Sequence, residues 1–564
     1  MVRRLLVLTF LALAAFAVTA VAATAGGGGG GNDHNGGNAG SLSKIKHLVV
    51  IYEENHSFDN LYGGWEGVNG LSNAKPANTI QLAQTGLPFT CLLQLDVNLT
   101  SPPLTPLCDA TDHFANAPFT IDDYIPATAT TCPAPGVFAP NGVANGSGLP
   151  GGCTRDIVHR FYQEQFQIDN GKQDRYAQGS DAAGLVMGHY DTKKLPVYQY
   201  LHQRHHPDYA ITDDFFQGAF GGSFLNHQWL IAAAAPIFAG ADQSGGASDL
   251  HSIVDANGFP NSTYPLYHPA TAVKDSQLTV KCNSGAPAGL ACGDYAVNTT
   301  QPWYQPFSPG TADAKRLPPL TNTNIGDELN AKGVSWAWYS GGWSNAAGVI
   351  GGPGWTNGDG PSCIAPNTIA GAVYPNCPDA LFQFHHQPFN YYFDMRPGTW
   401  NRSQHLRDEQ EFIDRATSSD GSCRLKSVSF VKPIGEENEH PGYASEPNGS
   451  DHLVELLKDI ESSACAKDTM VVVTYDEFGG QWDHVSPPGQ GGTSGPHDQW
   501  GPGTRIATLV VAPELRGDFV VDHTQYDTTS ILATIEHRWN VPALGSRDAA
   551  VNDLSSVFNA RAPH

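Results

Sequence analysis

Oxygen-bearing side chains follow directly on two short apolar runs. His47-Leu48-Val49-Val50-Ile51-Tyr52 ends in Glu53-Glu54-Asn55, and Met470-Val471-Val472-Val473-Thr474-Tyr475 ends in Asp476-Glu477 and then Gly479-Gly480. Acids after strands often serve only as caps or turn residues. Their recurrence at two strand ends points instead to Glu54, Asn55, Asp476 and Glu477 as one site for a hard divalent cation, since carboxylate and amide oxygens suit Mg²⁺, Ca²⁺ or Mn²⁺. A second group is Gly221-Gly222-Ser223-Phe224-Leu225-Asn226, which opens an apolar helical pattern running to Pro236. A serine there meets unpaired N–H groups and the positive end of a helix dipole, which stabilise both an alkoxide and a bound phosphate. Asn226 lies in the same first turn and could donate to a phosphoryl oxygen. The plainer reading of Ser223 is an N-cap, although a capping box would want Glu or Gln at 226. Histidine forms the third group, with 22 in the chain and clusters at Phe384–Phe389 and Asn438–Pro441. With an ordinary pKa of ~6.5 such residues can protonate a leaving group. A nucleophile elbow of the G-x-S-x-G kind is not met, because Phe224-Leu225 follows Ser223.

These groups need strands to hold them. Further apolar runs at 334–338, 428–431 and 506–511 read as buried strands. Helical stretches at 195–204, 451–463 and 526–539 alternate with them, the second with Leu453, Leu456, Leu457 and Ile460 on one stripe. Alternation of this kind implies an α/β fold with a mostly parallel sheet, whose chemistry gathers at the carboxyl ends of the strands. Residues 64–155, 235–330 and 343–380 are rich in Gly, Pro, Asn and Ala and hold eight of the ten cysteines. They read as insertions on a single domain spanning 44–564, because the candidate residues are spread from 54 to 477.

The chain has 564 residues and a formal charge of −24. That balance argues against a nucleic-acid binder and against docking on anionic lipid. Only 15% of residues are charged, against 61 Gly and 40 Pro, which suits a compact, loop-rich extracytoplasmic protein. Met1–Ala25 reads as a cleaved signal peptide, with Arg3-Arg4, an apolar stretch and A-x-A sites, and 26–43 as a Gly/Asn-rich tether. No later run is long enough to span a bilayer, so the expected location is secreted or periplasmic. The cysteines fall into close neighbours, 91/108, 132/153, 282/292, 363/377 and 423/465. Pairing neighbours would staple five local loops, while other pairings stay open. No C-x-x-C supports a zinc site.

The stretch Ile45–Asp59, with Glu53-Glu54-Asn55-His56-Ser57-Phe58-Asp59 at its end, resembles the opening signature of the bacterial and fungal phosphoesterase family. Thr474–Val485, TYDEFGGQWDHV, is similar to its second signature. That family holds acid phosphatases and phosphatidylcholine-type phospholipases C within the alkaline-phosphatase-like superfamily. The resemblance implies an alkaline-phosphatase-like central sheet flanked by helices, with the insertions stapled by disulfides. It implies a divalent metal (Ca, Mg, Mn, Fe or Zn, identity open) held by Glu54, Asn55, Asp476, Glu477 and the nucleophile Ser223. It further implies active-site roles for Asn226, His159, His386 and His440, with His385 the alternative to His386. Serine at 223 and the end of the chain soon after the last helix match the acid phosphatase branch, whereas the phospholipases use Thr and usually carry extra C-terminal β domains.

The expectation is therefore a secreted metal-dependent acid phosphatase acting on a small phosphoester through a phosphoserine, with His440 or His386 favoured over His159 as the proton donor. A phospholipase C acting on a choline phosphodiester is the alternative. Two departures bear on the site. His56 stands where the family usually has Arg, and Asp483-His484 resembles the metal pair of distant superfamily members, which would add a second metal. Asn55-His56-Ser57 also fits the N-glycosylation pattern, so a ligand role requires Asn55 to be unmodified.

Overall fold

The computed structural model describes residues 42–83, 85–93, 113–123, 154, 156–180, 182–240, 277–282, 289–442 and 444–563. The expected signal peptide and tether, and Cys108, Cys132 and Cys153, lie outside these. An eight-stranded sheet forms the centre, from β1 (His47–Glu53), β2 (Tyr209–Thr212), β3 (Trp336–Ser340), β4 (Leu406–Asp408), β5 (Val428–Lys432), β6 (Thr469–Tyr475), β7 (Thr508–Val511) and β8 (Phe519–Asp522). Their order is β4-β3-β5-β1-β6-β7-β2-β8. Every strand but β7 runs the same way, since β7 is antiparallel to both β6 and β2. The fold is thus α/β with a mostly parallel sheet. The centres of β1 and β6, Leu48–Tyr52 and Met470–Val473, are apolar because both faces are covered.

Six helices matter for the site or the core: α1 (Pro196–Leu201), α2 (Ser223–Ala232), α3 (Ile325–Lys332), α4 (Glu409–Ala416), α5 (Glu446–Ser462) and α6 (Thr529–Trp539). Helix α5 buries the predicted stripe of Leu453, Leu456, Leu457 and Ile460. It starts five residues earlier than its apolar period suggests, because Ser445 caps it and Pro447 sits in its first turn. The core also reaches into spans read as insertions. Trp65 and Val68 join it, as do Ile325 and Leu329 of α3. Disulfides join Cys282–Cys292, Cys363–Cys377 and Cys423–Cys465, each a pair of close neighbours.

A buried ion pair ties α4 to α5: His452 Nε2 lies 3.0 Å from Glu409 Oε1 and 3.8 Å from Glu437 Oε2. Burial alone would lower the His452 pKa, but Glu409 and Glu437 carry it up to about 10. The folded state therefore holds this proton more tightly than the unfolded chain. The pair contributes fully below the unfolded value of ~6.5 and its contribution is lost as pH rises toward the folded value. His452→Ala is expected to cost about 3 kcal/mol at pH 6 by leaving Glu409 buried and unpaired, and less at pH 9.5. Urea unfolding at the two pH values checks this; an equal loss at both would refute the assignment.

Candidate active site

The register of the sheet places the two acidic signatures side by side. Glu53 pairs with Tyr475 across β1 and β6, so the residues that follow leave the same edge together, and Asp476 N–H donates to the Glu53 carbonyl at 3.1 Å. Asn55 takes the left-handed conformation, φ 65°, which Asn tolerates better than most side chains, and its N–H donates to Asp476 Oδ1 at 3.1 Å. Gly479, φ 63°, has no room for a Cβ, which would lie 2.1 Å from the Asn55 carbonyl. The nucleophile candidate arrives on α2. Gly222 is the N-cap and Ser223 the first helical residue, so the hydroxyl does not cap. It donates instead to Glu54 Oε2 at 3.1 Å and to Asn55 Oδ1 at 3.4 Å. Glycine at 222 is required because a Cβ there would meet the His159 ring and carbonyl at 2.9–3.0 Å.

Each of three buried carboxylates spends one oxygen and leaves the other over. Asp476 Oδ1 accepts from two backbone N–H groups, of Asn55 and Glu477. Glu477 Oε2 accepts from Gly479 N at 2.6 Å, and Glu54 Oε2 accepts from Ser223. Asp476 Oδ2, Glu477 Oε1 and Glu54 Oε1 are buried without a hydrogen bond. Lys432 Nζ and His386 Nε2 lie against Glu54 Oε1, at 2.5 and 2.9 Å, and pair with it there. Burial alone would raise the Glu54 carboxyl, yet His386 and Lys432 hold it well below the usual carboxylate range. Burial and then the Glu54 charge push Asp476 well up; burial and the Asp476 charge do the same to Glu477. Buried carboxylates with oxygens that meet no hydrogen-bond donor could hold a divalent cation, and Glu54, His227 and His386 bring their ligand atoms within 4.8 Å of one another.

Histidines flank this group on two sides. His159 and His440 turn Nε2 toward Asn55 Nδ2, at 3.3 and 3.0 Å. Each has Nδ1 within reach of a backbone carbonyl, of Ile157 at 2.5 Å and of Pro441 at 2.6 Å. Because a carbonyl only accepts, both rings carry the proton on Nδ1 when neutral and offer Nε2 to the site. His159 Nε2 is also 3.4 Å from Glu477 Oε1. On the other side His386, not His385, reaches Glu54. Burial holds His386 down to about 4 despite the pull of Glu54, and burial lowers His440 as well.

Asn226 lies in the first turn of α2, as its spacing implies. Its Oδ1 accepts from Ala219 N at 2.8 Å, and its Nδ2 donates to the Gly221 and Gly222 carbonyls at 3.2 and 3.3 Å. The amide braces the turn before Ser223. The spacing that put Asn226 in the first helical turn could not show which way its amide faces. Asp483 and His484 lie apart from the carboxylate group. Asp483 is paired with buried Arg505, whose guanidinium also reaches Asp59, and His484 Nδ1 lies 2.6 Å from Asp59 Oδ2. Asp59, Asp483 and His484 bring their ligand atoms within 4.8 Å of one another, with the Arg505 guanidinium against both carboxylates. His56 directs Nε2 at the Glu439 carbonyl, 3.0 Å away, so its difference from Arg falls on that loop. Asn55 is buried at 1% exposure with its amide engaged, and the folded protein does not offer it for glycosylation.

Three residues of the site escaped sequence reasoning. Lys432 ends β5, fully buried, and besides Glu54 its Nζ donates to the Tyr52 and Glu53 carbonyls at 2.7 and 3.2 Å. A lysine closing an apolar strand beside β1 was the available signal. His227, one helical turn after Ser223, has Nε2 3.9 Å from Glu54 Oε1 and Nδ1 3.8 Å from Asp476 Oδ2; the i,i+4 spacing could have found it. Glu164, raised by burial to about 7, accepts from Gly221 N and Thr504 N and fixes the turn. No sequence pattern marks it.

The profile of the Phosphoesterase family matches residues 45–542. Phospholipase C A of Mycobacterium tuberculosis is 24% identical over 552 residues, covering 93% of this chain and 78% of that protein. Phospholipase C B of the same organism is 36% identical over 164 residues, 25% of this chain, and the chain spans only 30% of its length. Non-specific phospholipase C6 of Arabidopsis thaliana is 27% identical over 215 residues, 34% of this chain and 38% of its own. A solved structure from work on glycosaminoglycan metabolism by Bacteroides thetaiotaomicron overlaps 71% of this chain at 12% identity with a TM-score of 0.29, too loose a likeness to bear weight.

Proposed function

The chain belongs to the phosphoesterase family, and from that premise we propose that it is a divalent-metal-dependent phosphoester hydrolase of the phospholipase C type, with Ser223 as nucleophile. The observation that carries the reading is the set of buried carboxylates at the two strand ends, with Ser223 Oγ–H on Glu54 Oε2 and Asp476 Oδ2 and Glu477 Oε1 without a hydrogen bond. Those carboxylates with Asn55 and Ser223 would hold the metal, which when bound lowers the pKa of the hydroxyl and balances phosphate charge. Ser223 Oγ–H already points at Glu54 Oε2, where its proton starts its way out. The oxygen attacks phosphorus from the N-terminus of α2, whose free N–H groups favour the anion. His159 or His440, in the imidazolium form that carries a proton on each ring nitrogen, gives its Nε2 proton to the departing alcohol; the neutral ring then takes a proton from the water that hydrolyses the phosphoserine, which restores the imidazolium. Asn226 and Glu164 act as positioning residues for the turn.

The phospholipase C names of the relatives support a diester substrate. The identity of residue 223 favours the second reading, an acid phosphatase, because the resemblance assigns Ser to that branch. Hydrolysis of p-nitrophenylphosphorylcholine beside p-nitrophenyl phosphate at pH 5–7 separates them. Faster, chelator-sensitive hydrolysis of the choline diester is the expected result; preference for the monoester would return the protein to the acid phosphatase reading. Re-addition of Ca, Mg, Mn, Fe and Zn singly identifies the metal. Secretion after removal of 1–25, and a single domain over 44–564, belong to the same proposal, supported by the three disulfides and tested by N-terminal sequencing of secreted protein. Among the described residues no helix is long and apolar enough to cross a membrane.

A further inference from the structure

Residues 348–380, which lie between β3 and His386 in the chain, expose four aliphatic side chains. Val349, Ile350, Ile364 and Val373 are 39%, 52%, 67% and 75% exposed. The whole stretch carries two charges, Asp359 and Asp379, and no Lys, Arg or His. It is nevertheless built rather than loose. Cys363 is bonded to Cys377, Asn357 Oδ1 accepts from Ile364 N and Ala365 N at 3.0 and 3.1 Å, and Cys377 N donates to the Asn345 carbonyl at 2.8 Å. An aliphatic surface kept exposed on a braced frame marks an interaction site.

Its place in the fold says what it meets. The stretch leaves the carboxyl edge of β3, the same edge at which Glu54, Lys432 and Asp476 lie, and the chain returns from it to deliver His386 to Glu54. A partner on this surface would therefore meet the protein on the side of the sheet that carries the phosphoester site. Lacking any basic residue, the surface has nothing to attract an anionic membrane, and a chain of net charge −24 is repelled by one. Resting on the phospholipase C reading above, we propose that residues 348–380 form the surface on which the protein seats against a zwitterionic phospholipid bilayer, with the four aliphatic side chains entering the lipid. The energy of such contact scales with apolar area buried, without an electrostatic contribution.

The test uses the full mature chain, phosphatidylcholine vesicles with and without phosphatidylglycerol, and a variant carrying Ile350→Asp, Ile364→Asp and Val373→Asp. All three positions are exposed, so the fold should survive, and unfolding curves check that. Trp400→Asp is the control: Trp400 is 67% exposed but opens the helix leading into the amino end of β4, at the opposite edge of the sheet. The triple variant is expected to lose about tenfold or more of its vesicle binding while hydrolysing dissolved p-nitrophenyl esters at the parent rate, with Trp400→Asp unchanged in both. Unaltered binding by the triple variant, equal loss from Trp400→Asp, no binding by the parent, or binding that needs phosphatidylglycerol would each overturn the proposal. So would a parent dimer in sedimentation that the triple variant dissolves, which would make the surface a self-association face. Failure of the parent to hydrolyse dissolved esters would strike the catalytic reading alone, since vesicle binding is measured without turnover.

Discussion

Ser223→Ala is expected to lower turnover of any phosphoester substrate on the order of 10⁴-fold, the scale seen when a nucleophile is removed and binding alone remains. The fold should be indifferent to the change. Gly222, not Ser223, caps α2, and alanine is the better helix former. The one side-chain oxygen lost is the one that donates to Glu54 and Asn55, so the metal would keep the carboxylates of Glu54, Asp476 and Glu477. The measurement is single-turnover hydrolysis together with metal content and melting temperature. A variant that retains more than about a tenth of the parent rate, with metal bound, would move the nucleophile elsewhere.

How much of this was legible in the chain follows from what local sequence can encode. Strands β1 and β6 stand out because strands covered on both faces are apolar through their centres, and the acids after them mark the edge where such sheets place their chemistry. Direction is not encoded: Ile506–Val511 reads like its neighbours, yet β7 runs against β6 and β2. Side-chain aim is not encoded either. The same spacing that placed Ser223 against Glu54 also placed Asn226 nearby, but the Asn226 amide turned to the Gly221 and Gly222 carbonyls. Lys432 and Arg505 illustrate the remaining gap. A buried cation is fixed by the carboxylates it must neutralise, and those come from strands and loops far away in sequence.

Lys432 also shapes the second large effect, that of Glu54→Gln. The substitution keeps the size of the side chain and one oxygen, and removes the charge. Metal binding should weaken, and turnover at fixed metal should fall about 10³-fold, as expected when a preorganised electrostatic element of a buried site is lost. Stability should fall as well, by about 3 kcal/mol, because Lys432 would then be a buried ammonium without the carboxylate it touches, left with the Tyr52 and Glu53 carbonyls and the Tyr52 ring. The two losses have different causes and can be separated. Glu54→Gln combined with Lys432→Met removes both members of the ion pair, so stability should recover toward the parent while metal binding and turnover do not. Denaturant unfolding of the chelated proteins reads the first, and metal titration with substrate turnover reads the second. Recovery of turnover in the double variant would show that Glu54 serves only to neutralise Lys432, and the metal would have to be held by Asp476 and Glu477 without it. Loss of stability in the double variant equal to that in Glu54→Gln would show that the contact at 2.5 Å contributes nothing to the fold.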